Sequence, residues 1–124
     1  KIKEAIDNSD VVINLIGILY ETRKQKFSNI HVEIPDLISK LCAESKVKKF
    51  IHISAIGANS ESKSKYQRSK FQGEIKALNN FKNTVIIRPS VVCGVEDNFT
   101  NLFSKLSFSL LFLLLKLTIN FNLS

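Results

Sequence analysis

The sequence predicts an α/β fold built on a parallel sheet, and three observations carry that prediction. "DVVINLIG" (residues 10–17), "KVKKFIHIS" (46–54) and "NTVIIRPS" (83–90) are short apolar runs rich in β-branched residues, the composition of strands. The two stretches between them carry helical spacing or helix caps. Strand and helix therefore alternate, which requires crossover connections and places helices on the faces of a parallel sheet.

Each element can be justified in order. "DVVINLIG" ends at Gly17 and reads as a strand buried on both faces. The polar stretch "YETRKQK" follows. Phe27, Ile30, Ile34, Leu37, Ile38 and Leu41 then recur at helical spacing. Pro35 interrupts them, so the main helix either starts there, with proline in its first turn, or is kinked there. The second strand runs from about Lys49 to Ser54. "NSESKSK" is a polar loop with several candidate helix caps. A helix over residues 64–81 follows, with Phe71, Ile75 and Leu78 as its expected buried stripe. The third strand is stopped by Pro89.

Ligands of such sheets bind at the carboxyl ends of the strands. Those ends are Asn14 to Gly17, Ser54 to Ala58 and Arg88 to Val91. The helix 64–81 places Tyr66 and Lys70 one above the other on a single face. Read from spacing alone, the pair is either a proton donor with a tuned pKa or two solvated side chains.

Composition narrows the function classes. The chain has 124 residues, enough for one small domain, with four glycines, two prolines and no methionine. Lys1 is thus not a natural translation start, and the chain reads as a fragment, a processed product or a truncated reading frame. "KIKEAIDNSD" lacks the apolar region of a secretory signal, and a non-secreted protein is expected. The formal charge is +7, but the lysines are scattered, arginine is rare and no aromatics interleave with a basic stripe. Nucleic acid is therefore not expected as a partner. Cys42 and Cys93 have no metal-type spacing and are assigned to packing, as are the isolated His31 and His52; no metal is expected. Residues 107–124 form an apolar tail with neither strand nor helix periodicity. A buried helix lacking partners, a poor membrane anchor and a wrong-frame reading compete there, and the wrong frame is favoured.

Taken together, "DVVINLIG", "YETRKQKFSNIHVEIP", "KKFIHIS", "YQRSKFQGE" and "IIRPS" with Gly94 and "EDNF" beyond it resemble, in the same order, the extended and atypical branch of the short-chain dehydrogenase/reductase superfamily. That branch contains the NAD-dependent epimerases and dehydratases. Most narrowly the blocks look like its epimerase-like NAD(P)-binding accessory subunits of respiratory complex I and their bacterial relatives. The resemblance covers about residues 1–106. It implies a partial Rossmann-like parallel sheet, family strands 4–6 with their crossover helices.

The resemblance also implies roles. Tyr66 falls on the general acid/base and Lys70 on the residue that holds the nicotinamide ribose. A fixed cation beside a phenol is expected to favour the phenolate. Ser54 falls on the first serine of the family's Ser-Ser pair and Ala55 on the second. Glu33 falls on a family asparagine. Asn14 and Gly17 match positions near the adenosine half of the cofactor, and Pro89 borders the nicotinamide. Ala55 and Glu33 depart from the pattern, which favours structural binding of NAD or NADP over turnover. The alternative is a piece of an epimerase or reductase acting on a nucleotide sugar or similar carbonyl substrate. Complex I subunits or a complementing chain are the implied partners. The cytoplasm, or the inner face of an energy-transducing membrane, is the implied location.

The family's glycine-rich phosphate turn, G-x-x-G-x-x-G, does not occur; the glycines stand at 17, 57, 73 and 94. Residues 1–9 look like the end of the helix before family strand 4. The resemblance therefore implies an open apolar edge on that strand. Marginal stability and weak or no dinucleotide binding by this chain alone are expected. It would be a relic of a decayed gene or one half of a split protein.

Overall fold

In a computed structural model of the chain, residues 1–89 are described. The expected domain boundary at residue 106 and the tail 107–124 lie outside them. The elements are α1 (Ile2–Asp7), β1 (Val11–Asn14), a π-helical turn (Ser28–Glu33), α2 (Ile34–Ala43), β2 (Lys49–Ile53), α3 (Lys65–Asn80) and β3 (Thr84–Ile87). The three strands pair in parallel, in the order β1-β2-β3. The alternation read from the apolar runs thus gives the parallel α/β sheet expected of them. No helix among the described residues is long and apolar enough to cross a membrane.

Alternation along β2 sets the layers. Phe50, His52 and Ser54 point to one face and are buried at 0%, 1% and 6% exposure. That face carries the core, in which Phe50 packs with Ile6, Ile38, Cys42, Val47 and Ala77 from both sides of the sequence. The other face is apolar but only half covered. Register aligns Ile13 with Ile51 and Val85, and Ile53 with Ile87. Val11, Val85 and Ile87 remain exposed there. This corrects the expectation that β1 is buried on both faces. Among the described residues β1 has a strand neighbour on one side only.

Pro35 both starts a helix and distorts what precedes it. It sits in the first turn of α2, where its missing N–H costs little. The backbone before it is continuous but wider, with the Ile34 N–H bonding the Asn29 carbonyl five residues back. Because Pro35 has no N–H, the His31 carbonyl lacks its ordinary helical donor. That carbonyl instead lies against Gly73 of α3, where a Cβ would overlap it and stand 3.3 Å from Pro35 Cγ. The two helices are fastened again one end further along, where Asn80 Nδ2 donates to Asp36 Oδ1 at 2.8 Å and Ser39 Oγ at 3.0 Å.

α3 begins at its cap, with the Gln67 N–H donating to Ser64 Oγ at 3.3 Å. Its inward face corrects the sequence reading. Ser69, Lys70, Gly73, Glu74 and Ala77 are buried, whereas Ile75 and Leu78 are 41% and 45% exposed. Phe71 and Ile75 line an outward groove with Val32, Arg68 and Lys76. Small residues let α3 sit close to α2 and the π turn. The buried carboxylate is satisfied by a two-pronged pair, Arg88 Nε and Nη2 donating to Glu74 at 2.9 and 2.6 Å.

Candidate functional site

The carboxyl ends of β1 and β2, the π turn and the first half of α3 converge on one polar cluster. β2 ends at Ile53, and α3 carries Lys70 to that end. Lys70 is 4% exposed, and its Nζ donates to the Ile53 carbonyl at 3.0 Å. Burial pulls its pKa down to about 8, against the opposing pull of Glu74 one turn further along α3. An ammonium has three protons to donate, so two remain for other acceptors. Ser54, the next residue after β2, is 6% exposed, and its Oγ has no hydrogen-bond partner among the described residues.

Buried charge of this kind costs stability. A folded-state pKa below 10.5 means that the protonated lysine is disfavoured by folding, so stability rises as pH climbs from about 8 to 10.5. Lys70→Met is therefore expected to stabilise the chain at pH 7 by about 1–2 kcal/mol, after allowing for the lost bond to Ile53. Urea midpoints of the two chains check this. A lower midpoint for the variant would show that the ammonium holds the fold together.

Tyr66 stands one turn before Lys70, half-buried in an aromatic cluster. Its ring lies T-shaped to Phe27 (centroids 5.7 Å, 76°) and His31 (5.2 Å, 87°), while Phe27 and His31 stack at 5.1 Å. Burial pushes the phenol's pKa up. That is the reverse of the expected stabilised phenolate, and desolvation of the half-buried ring is its cause.

The remaining expected residues lie around this cluster in different states. Asn14 ends β1 at 1% exposure, with Nδ2 against His52 Nδ1 at 3.1 Å and Oδ1 accepting from the Ile16 N–H at 3.0 Å. Its amide is engaged within the protein and shapes the loop after β1. Gly17 lies in that loop, where a Cβ would be 3.8 Å from both His31 Nε2 and Lys70 Nζ. Pro89 follows β3 at the same edge of the sheet and makes no hydrogen bond among the described residues. Glu33 is exposed, and Ala55 is half-buried.

Two histidines assigned to packing belong to this cluster. Both are 1% exposed. The Ile18 N–H donates to His31 Nε2 at 3.1 Å, and His31 Nδ1 meets Ser69 Oγ at 2.8 Å. His52 Nδ1 faces the Asn14 amide, while His52 Nε2 lacks a partner among the described residues. Isolated histidines carry no spacing signal. The usable clue was that Phe27, His31 and Pro35 fall four apart in one helical register.

At the Lys70 and Ser54 end of the cluster, hydrogen-bond donors are left without partners among the described residues. Two ammonium protons and one hydroxyl are the donor set that a hydroxylated ligand would use. The described residues and the glycine positions offer no cradle for the pyrophosphate. Among the described residues no group of His, Cys, Asp and Glu is arranged for a metal.

No protein-family profile matches the chain. It is 43% identical over 104 residues to mouse mitochondrial NADH dehydrogenase (ubiquinone) 1 alpha subcomplex subunit 9. That match covers 84% of the chain and 28% of the mouse protein. It is 36% identical over 96 residues to the Neurospora crassa mitochondrial NADH-ubiquinone oxidoreductase 40 kDa subunit, covering 77% of the chain and 26% of that protein. The chain thus spans between a quarter and a third of the length of these relatives. Among solved structures it is similar to UDP-glucuronic acid 4-epimerase from Bacillus cereus in complex with NAD. There the TM-score is 0.58 and the identity 23%, over 71% of this chain and 34% of that one; at that identity the likeness is one of fold.

Proposed function

The chain belongs to the extended branch of the short-chain dehydrogenase/reductase superfamily, in the line of the NADH dehydrogenase accessory subunits, and from that premise we propose that it forms the nicotinamide side of a structural dinucleotide site. The observation that supports this reading is the buried Lys70 ammonium beside the unpartnered Ser54 hydroxyl at the end of β2. Both are donors suited to ribose oxygens, and Gly17 lies close to the ammonium, a Cβ there standing 3.8 Å from Lys70 Nζ. Tyr66 closes one side.

Binding for structure fits the cluster better than turnover does. Ala55 offers no side-chain donor beside Ser54, and burial raises the Tyr66 pKa, further from the phenolate a base would use. NAD and NADP are both compatible with these residues. The partners proposed are subunits of an NADH:ubiquinone oxidoreductase, or a chain that supplies the phosphate-binding turn. The location proposed is peripheral, on the inner face of an energy-transducing membrane.

A titration of the isotope-labelled chain with NADH, followed by amide NMR, tests the reading. With no phosphate cradle to add to the affinity, dissociation constants of about 1 mM are expected, equivalent to about 4 kcal/mol. The shifts should concentrate at Gly17, Ile18, Ser54, Tyr66 and Lys70 and be lost in a Tyr66→Phe, Lys70→Ala chain. Shifts confined to other residues, or none at saturating NADH, would reject the site.

A further inference from the structure

We propose that His31 is a positioning residue of this site, latching the loop after β1 onto α3 so that Gly17 and Ile18 are held over Lys70. The proposal rests on the dinucleotide reading and adds a residue that the family resemblance did not supply.

Three stretches of chain meet on one imidazole. The Ile18 N–H donates to Nε2 at 3.1 Å, the one hydrogen bond that residues 17–19 make among the described residues. Because Nε2 accepts, a neutral ring carries its proton on Nδ1 and donates it to Ser69 Oγ at 2.8 Å. Ser69 Oγ in turn donates to the Tyr66 carbonyl at 2.7 Å, within α3. The ring therefore has one acceptor for the loop and one donor for the helix, and both are engaged. Phe27 stacks on it and Tyr66 packs T-shaped against it, so its orientation is set by the same cluster that holds the phenol.

The backbone around His31 is suited to this task. The π-helical turn Ser28–Glu33 departs from α-helical spacing, and such turns gather at functional sites. Within it His31 is buried whereas Glu33 is exposed. The helix before β2 thus contributes His31 to the cluster, two residues earlier than the aligned position. A Cβ on Gly17 would stand 3.8 Å from both His31 Nε2 and Lys70 Nζ, so the loop lies close to the ammonium. Releasing the latch removes the loop from the ammonium without touching Lys70 itself.

Two near-isosteric variants separate the latch from packing. His31→Gln keeps an acceptor at the Nε2 position, and His31→Asn keeps a donor at the Nδ1 position. Both lose the ring, so both lose similar stability. The measurements are Ile18 amide exchange and the NADH-induced shifts in each 124-residue chain. In His31→Asn, Ile18 protection is expected to fall about tenfold further than in His31→Gln, the worth of one backbone hydrogen bond. The NADH shifts should persist in His31→Gln and vanish in His31→Asn. Equal behaviour of the two variants, or an Ile18 amide unprotected in the parent chain, overturns the proposal. If the parent chain shows no NADH shifts, the dinucleotide reading fails, and Ile18 exchange alone decides the latch.

Discussion

Gly73→Ala is expected to cost the chain about 3 kcal/mol or more and to lower its urea midpoint sharply. In an open helix the same change would stabilise, because alanine exceeds glycine in helix propensity by about 1 kcal/mol. The sign is reversed here by a contact. A Cβ on Gly73 would overlap the His31 carbonyl oxygen and lie 3.2 Å from its carbon and 3.3 Å from Pro35 Cγ. Two of these atoms are backbone and the third is in a ring, so none can swing aside. The helices must separate, which loosens the contact of Ala77 with Phe50 and Ile38 behind them. A chain of this size has about 0.05–0.15 kcal/mol of stability per residue, so a loss of this order takes a large share. Urea unfolding followed by circular dichroism checks it, with Asn79→Ala on the exposed side of α3 as the propensity control. Pro35→Ala supplies an N–H that can draw the His31 carbonyl back into the helix. Gly73→Ala should therefore cost less in that background than alone. A gain in stability from Gly73→Ala would show that α3 does not approach the π turn this closely.

The same contact explains how far the sequence could be read. Element order, the parallel sheet and the start of α3 at Ser64 were legible, because alternation, apolar spacing and caps are local properties. The inward face of α3 was not. Hydrophobic periodicity selects Phe71, Ile75 and Leu78, but the helix buries Ser69, Lys70, Gly73, Glu74 and Ala77. Close approach to a neighbouring backbone favours the smallest residues, and Glu74 is buried because Arg88, at the end of β3, neutralises it. Neither partner is visible from within the helix. Tyr66 and Lys70 were legible as a pair through their spacing. Their electrostatics were not, since these depend on the Ile53 carbonyl and on the aromatic cluster. His31 and His52 were hidden for the same reason: a single imidazole acquires its role from what the fold places against it.

Those two histidines give the second large effect, a loss of stability on mild acidification. Burial, followed by the nearby Lys70 ammonium, lowers the pKa of each to about 4. His31 faces Lys70, Tyr66 and Ser69, and its Nε2 also accepts the Ile18 N–H, a bond that protonation there removes. His52 faces Lys70 and Asn14, with Phe50 stacked beside it. In the unfolded chain both return to about 6.5. Between pH 6.5 and 4 the unfolded state therefore binds more protons than the folded one. The stabilisation from keeping the rings neutral is complete above pH 6.5 and is lost as pH falls towards 4. Each shift is worth about 3 kcal/mol, so the pair can outweigh most of the stability of a domain this small. Glu21 and Asp36 have lowered pKa values, so they act below the ordinary carboxylate range, after the histidines have titrated. Lys70 acts at the other end, with stability rising again from about pH 8 to 10.5. The urea midpoint should thus climb from pH 4 to 6.5, level off to about pH 8 and climb once more. His52→Gln should remove about half of the acid limb and leave the alkaline one. A midpoint unchanged between pH 7 and 5 would mean that water reaches both rings in the folded chain. The polar cluster at the end of β2 would then be open to solvent, and the burial that tunes Lys70 would be lost with it.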